Sequence, residues 1–187
     1  MSAPQLNLGA LDAPSWANGP GPRAVVWVRG CARHCPGCIN AHLWDPEPRR
    51  FVDWEEIAGW LEAWPDLRGI TLSGGEPFAQ AKPLACLAHR VREKGGDVVA
   101  FSGHTCDELA RGEIPGAKDL LGETDLLVDG PYLAEQSTEL PLRGSANQKL
   151  HFLTGRIRAD EIEGLPRREW IGGLASVRVT GFNPFPH

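Results

Sequence analysis

Four short apolar runs, each followed directly by a polar or glycine-rich signature, constrain this chain more than any other feature. Residues 24–28 run into Gly30-Cys31, and 69–72 into Ser73-Gly74-Gly75-Glu76-Pro77. Residues 97–101 end at Ser102-Gly103-His104, and 125–128 at Asp129-Gly130-Pro131-Tyr132. Their β-branched and aromatic content predicts buried strands. Helical patterns fall between them. Asp53 and Glu56 frame a capping-box-like start, with Trp54, Ile57 and Leu61 on one face. A second helix is predicted over 79–94 with Leu84, Leu87 and Val91 inward, and Thr105 to Glu108 reads as another capping box. Alternating strands and helices predict an α/β fold with a mostly parallel sheet. Further strand candidates at 149–153 and 176–180 bring the count to about six. A closed eight-stranded barrel typically takes about 250 residues, so 187 residues predict an open, partial (β/α) barrel. In parallel sheets ligands bind at the carboxyl ends of the strands, which puts all four signatures on one rim.

The chain reads as a single domain over 1–187. Residues 1–22 form a Pro/Gly/Ala-rich N-terminal extension ending in Asn18-Gly19-Pro20-Gly21-Pro22, and 24–153 form the core. Residues 154–187 form a C-terminal completion in which Trp170 and the 176–180 strand finish the sheet. A net charge of −5 gives no basic field for nucleic acid. No run of about 18 apolar residues predicts a membrane span. The first residues lack a signal-peptide pattern, which predicts a cytoplasmic protein whose five cysteines are metal-binding or reduced. The seven tryptophans read as core and pocket packing.

Cys31, Cys35 and Cys38 are spaced C-x3-C-x2-C. Thiolates select zinc, copper(I) or iron–sulfur clusters. Zinc could recruit His42 as a fourth ligand, while a cubane cluster on three cysteines leaves one iron with an open position. Ser73 to Pro77 is either a strand-to-helix turn started by Pro77 or a stretch whose glycines let backbone approach a ligand. Ser102 and Asp129 serve turns and caps or a ligand. Arg143, Ser145, Asn147 and Gln148 form a local loop or part of a substrate mouth. Cys86 reads as a small hydrophobe, Cys106 as passively placed at a helix start, and His34 and His42 as surface or packing residues.

The cysteine spacing followed by Gly-Gly-Glu-Pro resembles the radical S-adenosylmethionine (AdoMet) superfamily. More narrowly, Gly30-Cys31, His34 to Asn40 and Trp44 are similar to the activating proteins of anaerobic ribonucleotide reductases, as are Asn18 to Gly21, Asp125 to Tyr132 and Arg143 to Gln148. The resemblance spans about 15–153. It implies that Cys31, Cys35 and Cys38 hold three irons of one 4Fe–4S cluster, with the amino and carboxylate groups of AdoMet on the fourth. It also implies that Gly37 and Ile39 lie against the adenosine. The Ser73, Gly74, Gly75 and Glu76 stretch would receive the methionine ammonium, and Ser102 and Asp129 would hydrogen-bond AdoMet, or Asp129 a cation. Reductive cleavage would give a 5′-deoxyadenosyl radical, fed by an electron donor such as flavodoxin or ferredoxin. That radical would abstract hydrogen from a glycine of a glycyl-radical partner enzyme similar to anaerobic ribonucleotide reductase. Cys86 and Cys106 cannot hold a second cluster. Two alternatives stand beside this reading: a radical AdoMet enzyme resembling 7-carboxy-7-deazaguanine synthase, and a non-catalytic zinc-binding interaction module. Phe101-Ser102-Gly103-His104 departs from the tyrosine and threonine more frequent in the reductase activases.

Overall fold

The computed structural model describes residues 4–173 and 176–181. Its first element is a strand where the sequence suggested only a turn-rich lead-in. β1 (Gln5–Ser15) pairs antiparallel with β2 (Arg23–Val28) on one side and β3 (Phe51–Asp53) on the other. Leu6 and Leu8 are its buried anchors. Register shifts between Leu8 and Ala10 and between Asp12 and Ser15 break its alternation, which hides it from pattern reading.

Helix α1 (Trp54–Leu61) buries Ile57 and packs Trp54 and Leu61 against the core. Asp53 occupies its N-cap position but makes no side-chain cap bond, so the capping box expected there is not formed. β4 (Gly69–Gly74), α2 (Ala81–Glu93) and β5 (Asp97–Phe101) follow, with Leu84, Leu87 and Val91 buried as predicted. α3 (Cys106–Arg111) opens on the predicted capping box: Thr105 Oγ1 accepts from Glu108 N at 3.3 Å, and Glu108 Oε2 accepts from Thr105 N at 2.7 Å. Then come α4 (Ala117–Gly122), β6 (Leu126–Asp129) and β7 (Lys149–Phe152).

The sheet order is β3-β1-β2-β4-β5-β6-β7. The four middle strands run parallel, and the flanking ones add antiparallel. The sheet is open, with β3 and β7 at its two ends. One face is covered by the helices; β4 and β5 contribute Ile70, Leu72, Val98 and Ala100 to that core. The alternate residue Val99 faces the other side with Leu126 and Val128, covered by Leu142, Ile157 and Ile162.

β8 (Arg168–Gly173) and β9 (Ser176–Gly181) correct the expectation that Trp170 and the 176–180 strand complete the sheet. They pair antiparallel as a separate hairpin, and Trp170 is 72% exposed. The hairpin is pinned to the end of β1 instead. Glu169 accepts from Ser15 Oγ, from Trp16 N at 2.7 Å and from Ala17 N at 3.3 Å, while Asn18 Nδ2 donates to Thr180 Oγ1 at 3.0 Å.

At the amino ends of the parallel strands lies the fully buried Arg23. Its guanidinium donates to Thr71 Oγ1, Pro20 O, Ile70 O and Asp97 Oδ1 at 2.6–2.9 Å. Arg68 Nε donates to Asp97 Oδ2, and its Nη1 to Glu161 Oε1, both at 2.6 Å. Burial pulls the Arg23 pKa down, and Asp97 opposes that pull. No described helix is long and apolar enough to cross a membrane.

Candidate functional site

At the opposite, carboxyl ends of the strands, β4 does not stop at its last paired residue. Gly75 N donates to Val28 O at 2.8 Å and Glu76 N to Gly30 O at 2.9 Å, so the glycine stretch continues alongside the backbone leading into the cysteines. That approach explains both glycines. Gly74 has φ +111°, and a Cβ on it would stand 2.4 Å from Val28 O; one on Gly75 would stand 2.4 Å from Gly30 O. The glycines therefore serve a backbone-to-backbone approach within the chain. Pro77 then starts a 3-10 turn, Pro77–Gln80, for which Glu76 is the N-cap.

Glu76 is buried and ties two strand ends together. Oε1 accepts from Phe78 N and Ser102 Oγ, each at 3.0 Å, and Oε2 accepts from Gly103 N at 2.8 Å. Burial pushes its carboxyl above the usual carboxylate range, and the Gly103 and Phe78 amides oppose that push. Ser102 Oγ in turn accepts from His104 N at 3.0 Å.

The cysteine loop is a compact turn. Cys31 N donates to Trp44 O at 3.0 Å, Cys38 N to Cys35 O at 3.0 Å and Ala41 N to Cys38 O at 3.2 Å. His34, at φ +45°, stacks on Trp44 with ring centroids 4.9 Å apart, a packing role in line with the sequence reading. Cys31, Cys35 and Cys38 are free thiols of intermediate exposure. Burial raises the Cys38 thiol pKa, opposed by the Asn40 amide and the Trp44 side chain, both hydrogen-bonded to the sulfur.

The three thiols line one cavity of about 390 Å³, within the usual range for small-molecule sites. Gly37, Ile39, Ser73, Gly74, Gly75, Glu76 and Ser102 line it too, so the residues that the resemblance assigns to cluster or AdoMet converge there with the exception of Asp129. Ile39 presents its side chain at 45% exposure. Asp129 is the residue not brought to the wall. Its buried carboxylate accepts from Cys106 N at 2.6 Å, at the start of α3, and lies 3.0 Å from His151 Nε2. Burial, Asp129 and Asp107 raise the Cys106 thiol pKa.

The donor set fits an iron–sulfur cluster. Three thiols from one short loop line one cavity, and thiolates are the ligands by which proteins hold such clusters.

Arg33, which the sequence did not single out, lines the same cavity, as does Tyr132 from the strand-end signature placed on that rim. Tyr132 fills a slot between two glycines: a Cβ on Gly37 would lie 3.4 Å from its Cε1, and one on Gly144 3.0 Å from its Cδ2. Gln148 and Gly144 also line the cavity, and Gln148 folds the turn that joins them. Its Oε1 accepts from Gly144 N and Ser145 N at 2.8 and 3.2 Å, and its Nε2 donates to Gly130 O at 3.0 Å. Asn147 Nδ2 donates to Pro131 O at 2.8 Å and Ser145 Oγ accepts from Leu133 N at 3.1 Å. Of the four loop residues named from the sequence, Gln148 lines the cavity, and Ser145 and Asn147 make local bonds. Arg33 carried no recognisable signal, since its partners come from a distant strand end.

The family described as "4Fe-4S single cluster domain" matches residues 17–151. A relative from Vibrio cholerae serotype O1, named anaerobic ribonucleoside-triphosphate reductase-activating protein, is 36% identical over 73% of this chain and 92% of its own length. The Escherichia coli K12 protein of the same name is 33% identical with the same coverage. The Enterobacteria phage T4 protein, again so named, is 29% identical over 78% of this chain and 93% of its own.

Proposed function

The chain belongs to the 4Fe-4S single cluster domain family and, within it, to the anaerobic ribonucleoside-triphosphate reductase-activating proteins, enzymes of the radical AdoMet activase class, and from that membership we propose how its cavity works. In this reading Cys31, Cys35 and Cys38 hold a single 4Fe–4S cluster whose open iron takes AdoMet. When bound and reduced by the electron donor, the cluster would supply one electron to the AdoMet sulfonium, giving methionine and a 5′-deoxyadenosyl radical that would take a hydrogen atom from a glycine of the partner reductase.

The protein's own contribution is placement. Gly75 and Glu76, hydrogen-bonded to Val28 and Gly30, hold the β4 end against the cysteine loop, so cluster and AdoMet share one wall. Ser73, Gly74, Gly75 and Glu76 take the methionine end, and Gly37 with the exposed Ile39 takes the adenosine. Ser102 holds the Glu76 carboxylate in place. Asp129 acts at one remove, by fixing the start of α3. The proposal takes 1–187 as one radical AdoMet unit with the open sheet of a partial barrel, working in the cytoplasm with flavodoxin or ferredoxin as electron donor.

The observation that carries the reading is convergence: three thiols and the ends of β4, β5 and β6 line a single cavity of about 390 Å³. An open wall suits a partner's loop better than a small closed substrate. Anaerobic reconstitution, reduction, and mixing with AdoMet and the anaerobic ribonucleotide reductase should give a glycyl doublet in electron paramagnetic resonance. A reconstituted, reduced sample that cleaves no AdoMet and yields no doublet would overturn the reading.

A further inference from the structure

β7 is the outer strand at one end of the sheet, and the bonds on its paired side fix where its other groups point. Leu153 N donates to Asp125 O at 2.9 Å, and the register continues as Leu126 with Phe152, Leu127 with His151, Val128 with Leu150 and Asp129 with Lys149. Hydrogen-bonded and non-bonded pairs alternate along an antiparallel ladder. Lys149 and His151 therefore bond to β6, while the N–H and C=O of Leu150 and Phe152 point away from it. Val128 O agrees, because it is turned to the β5 side, where it accepts from Ser102 N at 2.9 Å. Among the described residues no hydrogen bond takes the outward groups of Leu150 and Phe152.

An open edge of this kind is a template for another chain, and folds usually blunt it. The sheet's other edge is blunted: β3 has three residues, follows Pro46, Pro48, Arg49 and Arg50, and passes straight into α1. β7 is short as well, yet it contains no proline, and its far end carries Phe152 and Leu153 at 36% and 37% exposure. Its near end meets the cavity. Gln148, the residue before β7, lines that cavity, and so does Gly130, which follows the Lys149 partner Asp129. Strands lie about 4.8 Å apart, so a strand added outside β7 would run about 10 Å from β6. About three extended residues cover that distance.

We propose that β7 is the docking edge for the partner reductase, whose glycine-bearing segment adds to it as an extended strand and turns past Gln148 into the cavity. The inference rests on the reading above, in which a partner's glycine enters this cavity, and it assigns the side of entry. Backbone pairing suits such a target. Glycine offers no side chain for a pocket to grip, so main-chain bonds give the affinity and the flanking side chains give the register. The Leu150 and Phe152 amides donate to carbonyls of the segment, and their carbonyls accept from its amides.

The test reads docking separately from radical formation, on the anaerobically reconstituted, unreduced protein with AdoMet. Amide hydrogen exchange over residues 149–153, followed by mass spectrometry, should slow when the anaerobic ribonucleotide reductase is added. Phe152→Pro removes one outward N–H where an edge strand tolerates proline, whereas Phe152→Thr keeps that N–H. Affinity for the reductase should be about tenfold weaker in Phe152→Pro than in Phe152→Thr, the size of one bond whose acceptor is left unmatched. Cleavage of AdoMet driven by dithionite without the reductase should be the same in both. Equal affinities in the two variants, or exchange at 149–153 unchanged by the reductase, would overturn the inference. Should Phe152→Pro take up less iron than the parent, the exchange measurement on the parent decides alone. Slowing that follows the protein's own concentration and not the reductase would assign the edge to a second copy and overturn the inference too. A parent that cleaves no AdoMet and yields no doublet would refute the proposed function, while binding and exchange still decide the edge, so the two failures are distinguishable.

Discussion

Ser102 donates its hydroxyl to Glu76 Oε1 at 3.0 Å, joining the carboxyl ends of two neighbouring parallel strands inside the cavity wall. The bond belongs to a carboxyl whose pKa burial has raised. A raised folded value means the native state holds the proton more tightly than the unfolded chain does. The stability this gives is complete below the unfolded value, near 4.3, and is lost as pH rises through the folded one. Glu76→Gln cannot titrate. The stability of the parent relative to this variant should fall as pH climbs from about 4.3, read from urea midpoints across that range. Parallel curves would contradict the assignment.

Iron loading should separate the cysteines into two groups. Replacing Cys31, Cys35 or Cys38 by serine should abolish most bound iron and reduce glycyl radical to background, whereas Cys86→Ser and Cys106→Ser should keep both. Ligation requires the thiolate, so acid should release iron from the loaded protein by protonating the ligands. Iron content after each substitution measures the separation directly, and iron retained in all three serine variants would count against these cysteines as ligands.

Much of this was legible in the residues. The runs at 24–28, 69–72 and 97–101 become the parallel strands β2, β4 and β5 because continuous β-branched residues suit burial on both faces. The Thr105 box was readable because its two bonds are local. β1 was not, since glycine, alanine and proline dilute its pattern and two register shifts interrupt it. β3, at three residues, and α4, at six, are too short for any period to show. The 176–180 run has strand chemistry, but long-range contacts, Glu169 with Ser15, Trp16 and Ala17 and Asn18 with Thr180, hold it as a hairpin away from the sheet. At the site, the residue types were clear, while the Asp129 bond to the Cys106 amide and the reach of Arg33 depend on long-range placement.

Gly75→Ala tests whether the close backbone approach is needed for the ligand. The new Cβ would meet Gly30 O at 2.4 Å, and neither partner is a flexible side chain, so the β4 end must move off the cysteine loop. Overpacking of this kind costs about 1–3 kcal/mol. AdoMet affinity should drop at least tenfold while the cysteines still take up iron, since the substitution parts the two walls without touching a thiol. Unaltered affinity in dialysis would show that the approach is structural only.

Asp97 is the only carboxylate among the described residues that hydrogen-bonds the fully buried Arg23, at 2.6 Å. Asp97→Ala leaves that guanidinium charged and uncompensated, a change that typically costs about 3–5 kcal/mol. For a chain of this size this corresponds to a melting temperature lower by roughly 6–20 °C. Removing the charge as well, in Arg23→Met with Asp97→Ala, should recover part of the loss, because a buried pair replaced by apolar groups is often near neutral. The two substitutions should therefore be strongly non-additive. Iron uptake by the folded variants should match the parent, since Arg23 and Asp97 begin β2 and β5 while the cysteines follow the end of β2. Additive losses in the thermal scans would mean that Asp97 serves the Arg68–Glu161 pair more than Arg23, and that desolvation of Arg23 is borne by its bonds to Thr71, Pro20 and Ile70 alone.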